Sequence, residues 1–229
     1  MVQCKLFMDP DIRRDDKEDG FTLVEVLVAI AIVSVIGVII VAIFASTLRG
    51  SNKAQILAVI KQNGQAVLEG LDKSIRGSDN VVCPSAAGSS DTLVIVKDGC
   101  YTRYRFVAPS PSPNPVQNGQ IQVDYPQPNP SAPCMMNSPA PSPMDVGSFV
   151  STVCTDPMPS PNSLTDTNTQ LGVSVDRLAG SSGLFTRSIQ SGSKDGVSIS
   201  FIMNPGVAVP PSLSGQIDSV IFQTTIQLR

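Results

Sequence analysis

The chain contains no histidine among its 229 residues. This excludes a Ser-His-Asp or Cys-His arrangement for nucleophilic catalysis, and the sequence has neither a GxxxxGK nor a GxGxxG phosphate-binding motif. We therefore expect no enzymatic activity and no cofactor. Lysine and arginine (16) are outnumbered by aspartate and glutamate (19), and they form no basic stripe. No nucleic-acid partner is predicted for such a chain.

Charged residues are also absent from residues 26–48, where the sequence is almost entirely apolar. A membrane-spanning helix needs about 20 such residues, so this segment is long enough to cross a bilayer. A secretory signal has a shorter apolar core followed by an Ala-x-Ala-like cleavage site, and neither feature is present. The four lysines and arginines of the first 20 residues favour an N-terminus inside the cell. We predict a single-pass protein of the cytoplasmic (inner) membrane whose remainder is exported.

The residues ahead of the apolar run carry a distinctive pattern, Gly20-Phe21-Thr22-Leu23-Val24-Glu25. The glycine, the aromatic residue, the Thr-Leu pair and the acid five positions after the glycine together resemble the class III signal of type IV pilins and type II secretion pseudopilins. The resemblance extends to about Gly50 and no further. One position departs from it, because Asp19 stands where that family usually has lysine or arginine.

The resemblance implies a maturation and an assembly route. A prepilin peptidase would cut after Gly20 and methylate the new N-terminus at Phe21. The subunit would then join other pilin or pseudopilin subunits through its N-terminal helix, on an inner-membrane assembly platform, and reach the cell surface as part of a filament.

Glu25 is the only charged residue between Gly20 and Leu48. An ionised group inside hydrocarbon costs on the order of a few kcal/mol, so this carboxylate needs a partner. The resemblance implies that it pairs with the free amine of Phe21 on a neighbouring subunit during filament assembly. The alternative is that Glu25 lies at the membrane edge and reaches water.

Beyond Arg49 the helical pattern continues, with apolar residues recurring on one face. These are Ile56, Ile60, Val67, Leu71 and Ile75. We predict four segments. Residues 1–20 form a cleaved polar leader, residues 21–48 a transmembrane and assembly helix, residues 49–77 its amphipathic continuation, and residues 78–229 an exported β-rich domain.

Six runs in the exported part have the composition of β-strands. They span residues 92–96, 101–107, 121–125, 172–175, 197–202 and 217–228. Lys97-Asp98-Gly99 between the first two is typical of a hairpin turn. The fold class predicted is α+β and pilin-like: a long N-terminal helix, membrane-spanning in its first half, packed on an antiparallel β-sheet. The cluster of Tyr101, Arg103, Tyr104 and Arg105 is interpreted as a solvated strand face and edge.

Fourteen of the nineteen prolines lie between residues 109 and 161. Because proline cannot donate a hydrogen bond to a ladder, it is confined to edges and loops. We predict long Pro-rich loops within residues 109–163. Two interpretations of these loops stay open. They form a variable display surface on a fibre, or they are surface loops without a binding function of their own.

The number of cysteines is compatible with an exported domain. Cys4 belongs to the leader, which leaves an even number of cysteines in a compartment that permits disulfides. Four cysteines allow three pairings. We favour Cys83 with Cys100 and Cys134 with Cys154, because each pair closes a short local loop. A metal site is not expected, since there is no histidine and no CxxC spacing.

Two classes of function remain. The first is a structural subunit of a type IV pilus or of a type II secretion-like filament. We favour a minor subunit, because the chain is long and its Pro-rich loops are bulky. The second is an uncleaved, single-pass exported binding module or adhesin. The pattern of Gly20, Phe21 and Glu25 favours the first.

Overall fold

A computed structural model describes residues 20–85, 87–110, 116–127, 149–150, 152–189, 194–210, 214–215 and 217–228. The chain divides into two compact units, Met1–Arg49 and Gly50–Arg229. The described part of the first unit consists almost wholly of the start of helix α1, Leu23–Arg76. The remainder of α1 belongs to the second unit.

Helix α1 ends at Arg76, one residue before the end of the continuation predicted over residues 49–77. The amide of Gly77 still donates to the carbonyl of Lys73, at 3.2 Å. The hydroxyl of Ser78 then donates to the carbonyl of Ile75, at 2.7 Å. A side chain thus satisfies one of the carbonyls left without an intrahelical partner at a helix end.

The second unit contains two antiparallel sheets. One has the order β1-β3-β4-β5-β6, and the other has the order β10-β9-β8-β2, with β7 also pairing with β9. The strands are β1 Asn80–Cys83, β2 Gly88–Ser90, β3 Thr92–Lys97, β4 Cys100–Val107, β5 Gln120–Asp124, β6 Asn162–Ser163, β7 Val173–Asp176, β8 Phe185–Ser188, β9 Gly196–Pro205 and β10 Val220–Gln227. A long N-terminal helix with antiparallel sheets confirms the predicted α+β, pilin-like architecture.

Each of the six predicted strand runs overlaps an observed strand, namely β3, β4, β5, β7, β9 and β10, although β10 begins at Val220 and not at residue 217. The predicted hairpin turn is also present, with Asp98 (φ 49°) and Gly99 (φ 76°) both in the left-handed region. Strands β1, β2, β6 and β8 were not predicted. They have two to four residues each, which is too short for a period of two to stand out in the sequence.

The predicted apolar face of the helix forms part of the core. Ile60, Val67, Leu71 and Ile75 are buried, and they share one hydrophobic cluster with residues of both sheets. Ile56, the first residue of the predicted face, is half-buried. Burial of this stripe explains how residues beyond Arg49 can stay helical in water, since amphipathic packing supplies most helical stability in proteins.

Gly64 allows an aromatic side chain to approach the helix closely. A Cβ atom at this position would lie 2.1 Å from the ring of Phe222 on β10. That ring is itself buried and stacks on Phe201, with ring centroids 5.4 Å apart. Gly64 therefore lies in the core, whereas a Cβ atom at Gly70, on the same helix, would meet nothing within 4 Å.

Alanine at these two glycines is expected to change stability in opposite directions. Gly64→Ala should destabilise the second unit by about 1–3 kcal/mol, because the Phe222 ring must shift in a packed core. Gly70→Ala should stabilise it by up to about 1 kcal/mol through helix propensity alone. Urea unfolding of the full chain in detergent measures both changes. Equal stabilisation by the two substitutions would show that the ring of Phe222 moves aside freely.

Candidate functional site

The start of helix α1 holds the residues for which the sequence predicts processing. Gly20 and Phe21 precede the first helical residue, Leu23. Both are exposed, Phe21 by 81%, and a Cβ atom at Gly20 would meet nothing within 4 Å. In the part of the chain that the structure describes, Gly20 and Phe21 are thus exposed and lie outside regular structure.

Thr22 caps the helix. Its hydroxyl oxygen accepts a hydrogen bond from the amide of Glu25 at 3.2 Å. Its carbonyl oxygen accepts bonds from the amides of Glu25 and Val26, at 3.1 and 3.2 Å. Thr22 and Glu25 thus occupy the first and last positions of an S/T-x-x-E capping box. This cap was not predicted, although its Thr-x-x-Glu spacing is visible in the sequence.

Glu25 therefore has a local role besides any pairing between subunits. Its carboxylate lies in the first turn, where the positive end of the helix dipole favours an acid by about 0.3–1 kcal/mol. The side chain is exposed, so it is available to a partner outside this chain.

The helix surface after Glu25 is apolar and exposed on all sides. Val26, Val38 and Phe44 are 46, 71 and 64% exposed, and every residue from 20 to 44 is exposed. By length and composition this helix can cross a membrane. An apolar surface of this size needs a cover of lipid or protein.

The hydroxyl groups within this surface are satisfied inside the helix. Ser34 donates to the carbonyl of Ile30 at 2.7 Å. Ser46 and Thr47 both donate to the carbonyl of Ile43, at 2.8 and 2.9 Å. Because hydrocarbon offers no hydrogen-bond partners, internal pairing of this kind makes the segment compatible with lipid.

The predicted disulfide pairing is wrong. Cys83 is bonded to Cys154, 71 residues away, with their Cα atoms 5.9 Å apart. This excludes both predicted pairs, Cys83 with Cys100 and Cys134 with Cys154. Cys100 is also disulfide-bonded, and Cys134 lies outside the described residues.

The antiparallel pairing of β1 with β3 explains the error. Cys83 on β1 lies opposite Val94 of β3, whereas Cys100 on β4 lies on the other side of β3, opposite Lys97. Proximity in sequence therefore did not become proximity in space. The small cluster of Cys83, Val94, Tyr101 and Val153 instead brings the segment that carries Cys154 onto this part of the sheet.

The basic-aromatic cluster on β4 is also not the solvated face that the sequence suggested. Tyr101, Arg103 and Tyr104 are buried, and Arg103 is only 1% exposed. Burial raises the pKa of both tyrosines. Arg105 is half-buried, and its pKa is lowered, first by burial and then by the charge of Arg103.

Arg103 is held by charge-assisted hydrogen bonds. Its Nε and Nη2 atoms donate to the two carboxylate oxygens of Asp124, at 2.9 and 2.5 Å. Its Nη1 atom donates to the backbone carbonyls of Val153 and Asp156, both at 2.8 Å. Its Nη2 atom also donates to the carbonyl of Pro157, at 3.3 Å. All of its nitrogen atoms are thus bonded within the fold, so Arg103 anchors residues 153–157 and is not available to a ligand.

Comparison with known proteins identifies the N-terminal segment. A family model described as the prokaryotic N-terminal methylation motif matches residues 15–41. This is the class III signal of type IV pilins and pseudopilins, so the resemblance carried by Gly20, Phe21 and Glu25 is confirmed. No curated protein matches the chain, and no solved structure matches it. The chain carries the N-terminus of a type IV pilin-like or pseudopilin-like precursor, which implies processing by a prepilin peptidase and assembly with other pilin subunits.

Proposed function

We propose that this chain is a minor structural subunit, a pilin or pseudopilin, of a type IV pilus or type II secretion-like filament. It enters the cytoplasmic membrane with its N-terminus inside, is cut after Gly20 and methylated at Phe21, and assembles through α1. The observation that carries the proposal is the methylation motif at residues 15–41, which overlaps a helix surface that has no charge from residue 26 to residue 48.

The same helix surface suits both stages of this route. In the membrane it faces lipid tails, and in a filament it faces the helices of other subunits. These two environments have similar polarity, so packing and the pairing of polar groups decide which is preferred. Glu25 supplies such a polar group, because a carboxylate without a partner penalises wrong staggers of neighbouring helices.

The proposed segments follow from this route. Residues 1–20 are the leader, residues 21–48 the membrane and assembly helix, residues 49–77 its amphipathic continuation, and residues 78–229 the exported domain. The bulky Pro-rich region within residues 109–163 supports a minor role, because tight helical repetition of such a subunit would be awkward. The assembly platform and the prepilin peptidase are its proposed membrane partners.

Mass spectrometry of the N-terminal peptide tests the proposal. In membranes and sheared surface filaments of the native host, we expect a methylated peptide that begins at Phe21. Gly20→Val should leave the leader attached, because a side chain now fills the position before the cut. Gly37→Val, in the exposed helix surface, is the matched control and should be processed normally.

The opposite results would support a different function. An intact leader on the unmodified chain, with no material in the sheared fraction, would favour an uncleaved membrane-anchored binding module. If the chain is processed, the abundance of the methylated peptide in the sheared fraction would separate a major subunit from a minor one.

A further inference from the structure

A groove of about 420 Å³ lies beside the turn between β3 and β4, and two tyrosines line it. Tyr101, near the start of β4, is buried, whereas Tyr125, directly after β5, is 64% exposed. The other lining residues come from the turn, from β4 and from the chain after β5. They are Lys97, Asp98, Cys100, Thr102 and Gln127. The groove is mainly apolar, and the two charges among its lining residues are of opposite sign.

The described residues stop and resume close to this groove. Gln127, the last residue before the gap, lines it. Phe149, the first residue after the gap, packs its ring edge-to-face on the ring of Tyr101, with centroids 4.9 Å apart. Residues 128–148 therefore start and end near the same part of β4.

A covalent bond also connects this groove to another part of the chain. Cys100, one of its lining residues, is disulfide-bonded. Cys83 and Cys154 are bonded to each other, and the sequence contains five cysteines. The partner of Cys100 is therefore Cys4 or Cys134. Under the proposed function Cys4 belongs to the leader and stays inside the cell, where disulfides are rare.

We propose that the Pro-rich segment of residues 128–134 occupies this groove, held there by a disulfide between Cys134 and Cys100. The exclusion of Cys4 rests on the proposed function. Forming the bond removes one hydrogen atom from each thiol. A disulfide oxidant of the exported compartment takes up both hydrogen atoms and is itself reduced from a disulfide to two thiols.

The chemistry of the segment suits the groove. Residues 128–134 read Pro-Asn-Pro-Ser-Ala-Pro-Cys, with three prolines and no charge. Pro-rich segments favour an extended conformation that docks on aromatic-lined grooves. Seven residues reach up to about 25 Å, and Gln127 and Cys100 line the same groove, so the segment is long enough.

Attachment at both ends also favours this occupant over a separate ligand. A segment joined to its site by short connections has an effective concentration on the order of millimolar. Residues 135–148 would then be a closed loop, with one end fixed at Cys100 and the other at Tyr101.

Non-reducing peptide mapping tests the disulfide. The full chain is taken from membranes of the native host, its free thiols are alkylated, and it is cut with trypsin and Asp-N. Because Asp145 lies between Cys134 and Cys154, the four cysteines after the leader fall on separate peptides. We expect the peptide of residues 98–103 to be linked to the peptide of residues 124–144.

Nitration of Tyr125 tests whether the segment occupies the groove. Pro128→Ala with Pro130→Ala and Pro133→Ala keeps the disulfide but removes the preference for an extended conformation. The nitration rate at Tyr125 should rise about fivefold, since it reports the fraction of molecules in which the groove is open. Tyr104, which is buried, should stay unreactive while the fold is intact.

Three prolines beyond the disulfide provide the matched control. Pro139→Ala with Pro141→Ala and Pro143→Ala removes the same number of prolines after Cys134. This variant should be nitrated at Tyr125 as slowly as the unmodified chain.

Four results would overturn the proposal. In three of them Cys100 carries the alkylating label, is linked to Cys4, or is linked to another chain. In the fourth, the two proline variants are nitrated at Tyr125 at the same rate. The N-terminal peptide of the same samples separates the two levels of the argument. A methylated Phe21 beside any of these results leaves the proposed function standing, whereas an intact leader linked through Cys4 contradicts both.

Discussion

Replacing Arg103 with alanine is expected to destabilise the second unit by about 3–5 kcal/mol, because it leaves a buried carboxylate without its counter-ion. The side chains of Arg103 and Asp124 are only 2 and 5% exposed. The substitution also removes the side-chain donor for the backbone carbonyl of Val153 and one of the two arginine donors for that of Asp156, to which Arg105 also donates. The segment that carries Cys154 would then be held on the sheet by the Cys83–Cys154 disulfide and by the hydrogen bonds of Arg105.

Urea unfolding of the full chain in detergent, with disulfides intact, measures this loss. Arg177→Ala is the matched control, since Arg177 also forms an ion pair with an aspartate, Asp91, but is 44% exposed. An exposed pair contributes at most about 1 kcal/mol. Equal costs for the two substitutions would show that the buried pair does not hold the segment.

A double replacement separates the cost of an orphaned charge from the value of the pair itself. Arg103→Met with Asp124→Leu removes both charges and keeps apolar volume in the site. Such swaps are often neutral in stability or better. We expect most of the loss to be recovered, although the carbonyl of Val153 still lacks its side-chain donor.

Replacing Glu25 is expected to abolish filament incorporation while leaving membrane insertion intact. Under the proposed function its carboxylate pairs with the amine of Phe21 on a neighbouring subunit, and its loss removes the preference for one stagger of the helices. Insertion should become more favourable, because a charge in hydrocarbon costs on the order of a few kcal/mol. Immunoblots of membrane and sheared filament fractions measure both effects.

The position of Glu25 in the first turn of the helix calls for two matched variants. Glu25→Gln keeps a side chain suited to the capping box but removes the charge. Thr22→Val removes the capping hydroxyl, at a cost of about 0.5–2 kcal/mol to the helix start, but keeps Glu25. We expect Glu25→Gln to fail in assembly and Thr22→Val to assemble. The reverse pattern would assign Glu25 to the helix cap alone.

Local patterns in the sequence determined the class of the N-terminal segment and the positions of the helix and most of the strands. The junction at Gly20, the uncharged run of residues 26–48 and the apolar stripe that includes Ile60 and Leu71 all depend on residues close together in the chain. The same holds for the strand runs and for the turn at Gly99. Side-chain periods of 3.6 and 2 are set by backbone geometry, so they can be recognised without knowledge of the tertiary fold.

Only the tertiary structure decided which distant residues meet. It joined Cys83 to Cys154 across 71 residues, placed Arg103 on Asp124 in a buried ion pair, put Gly64 against Phe222 and left β10 at the end of its sheet. Such contacts depend on strand order and register, which one strand's own sequence does not encode. The periodicity of β4 could mark a strand, but whether its arginines face water or a buried carboxylate was set by the segment that folds back over it.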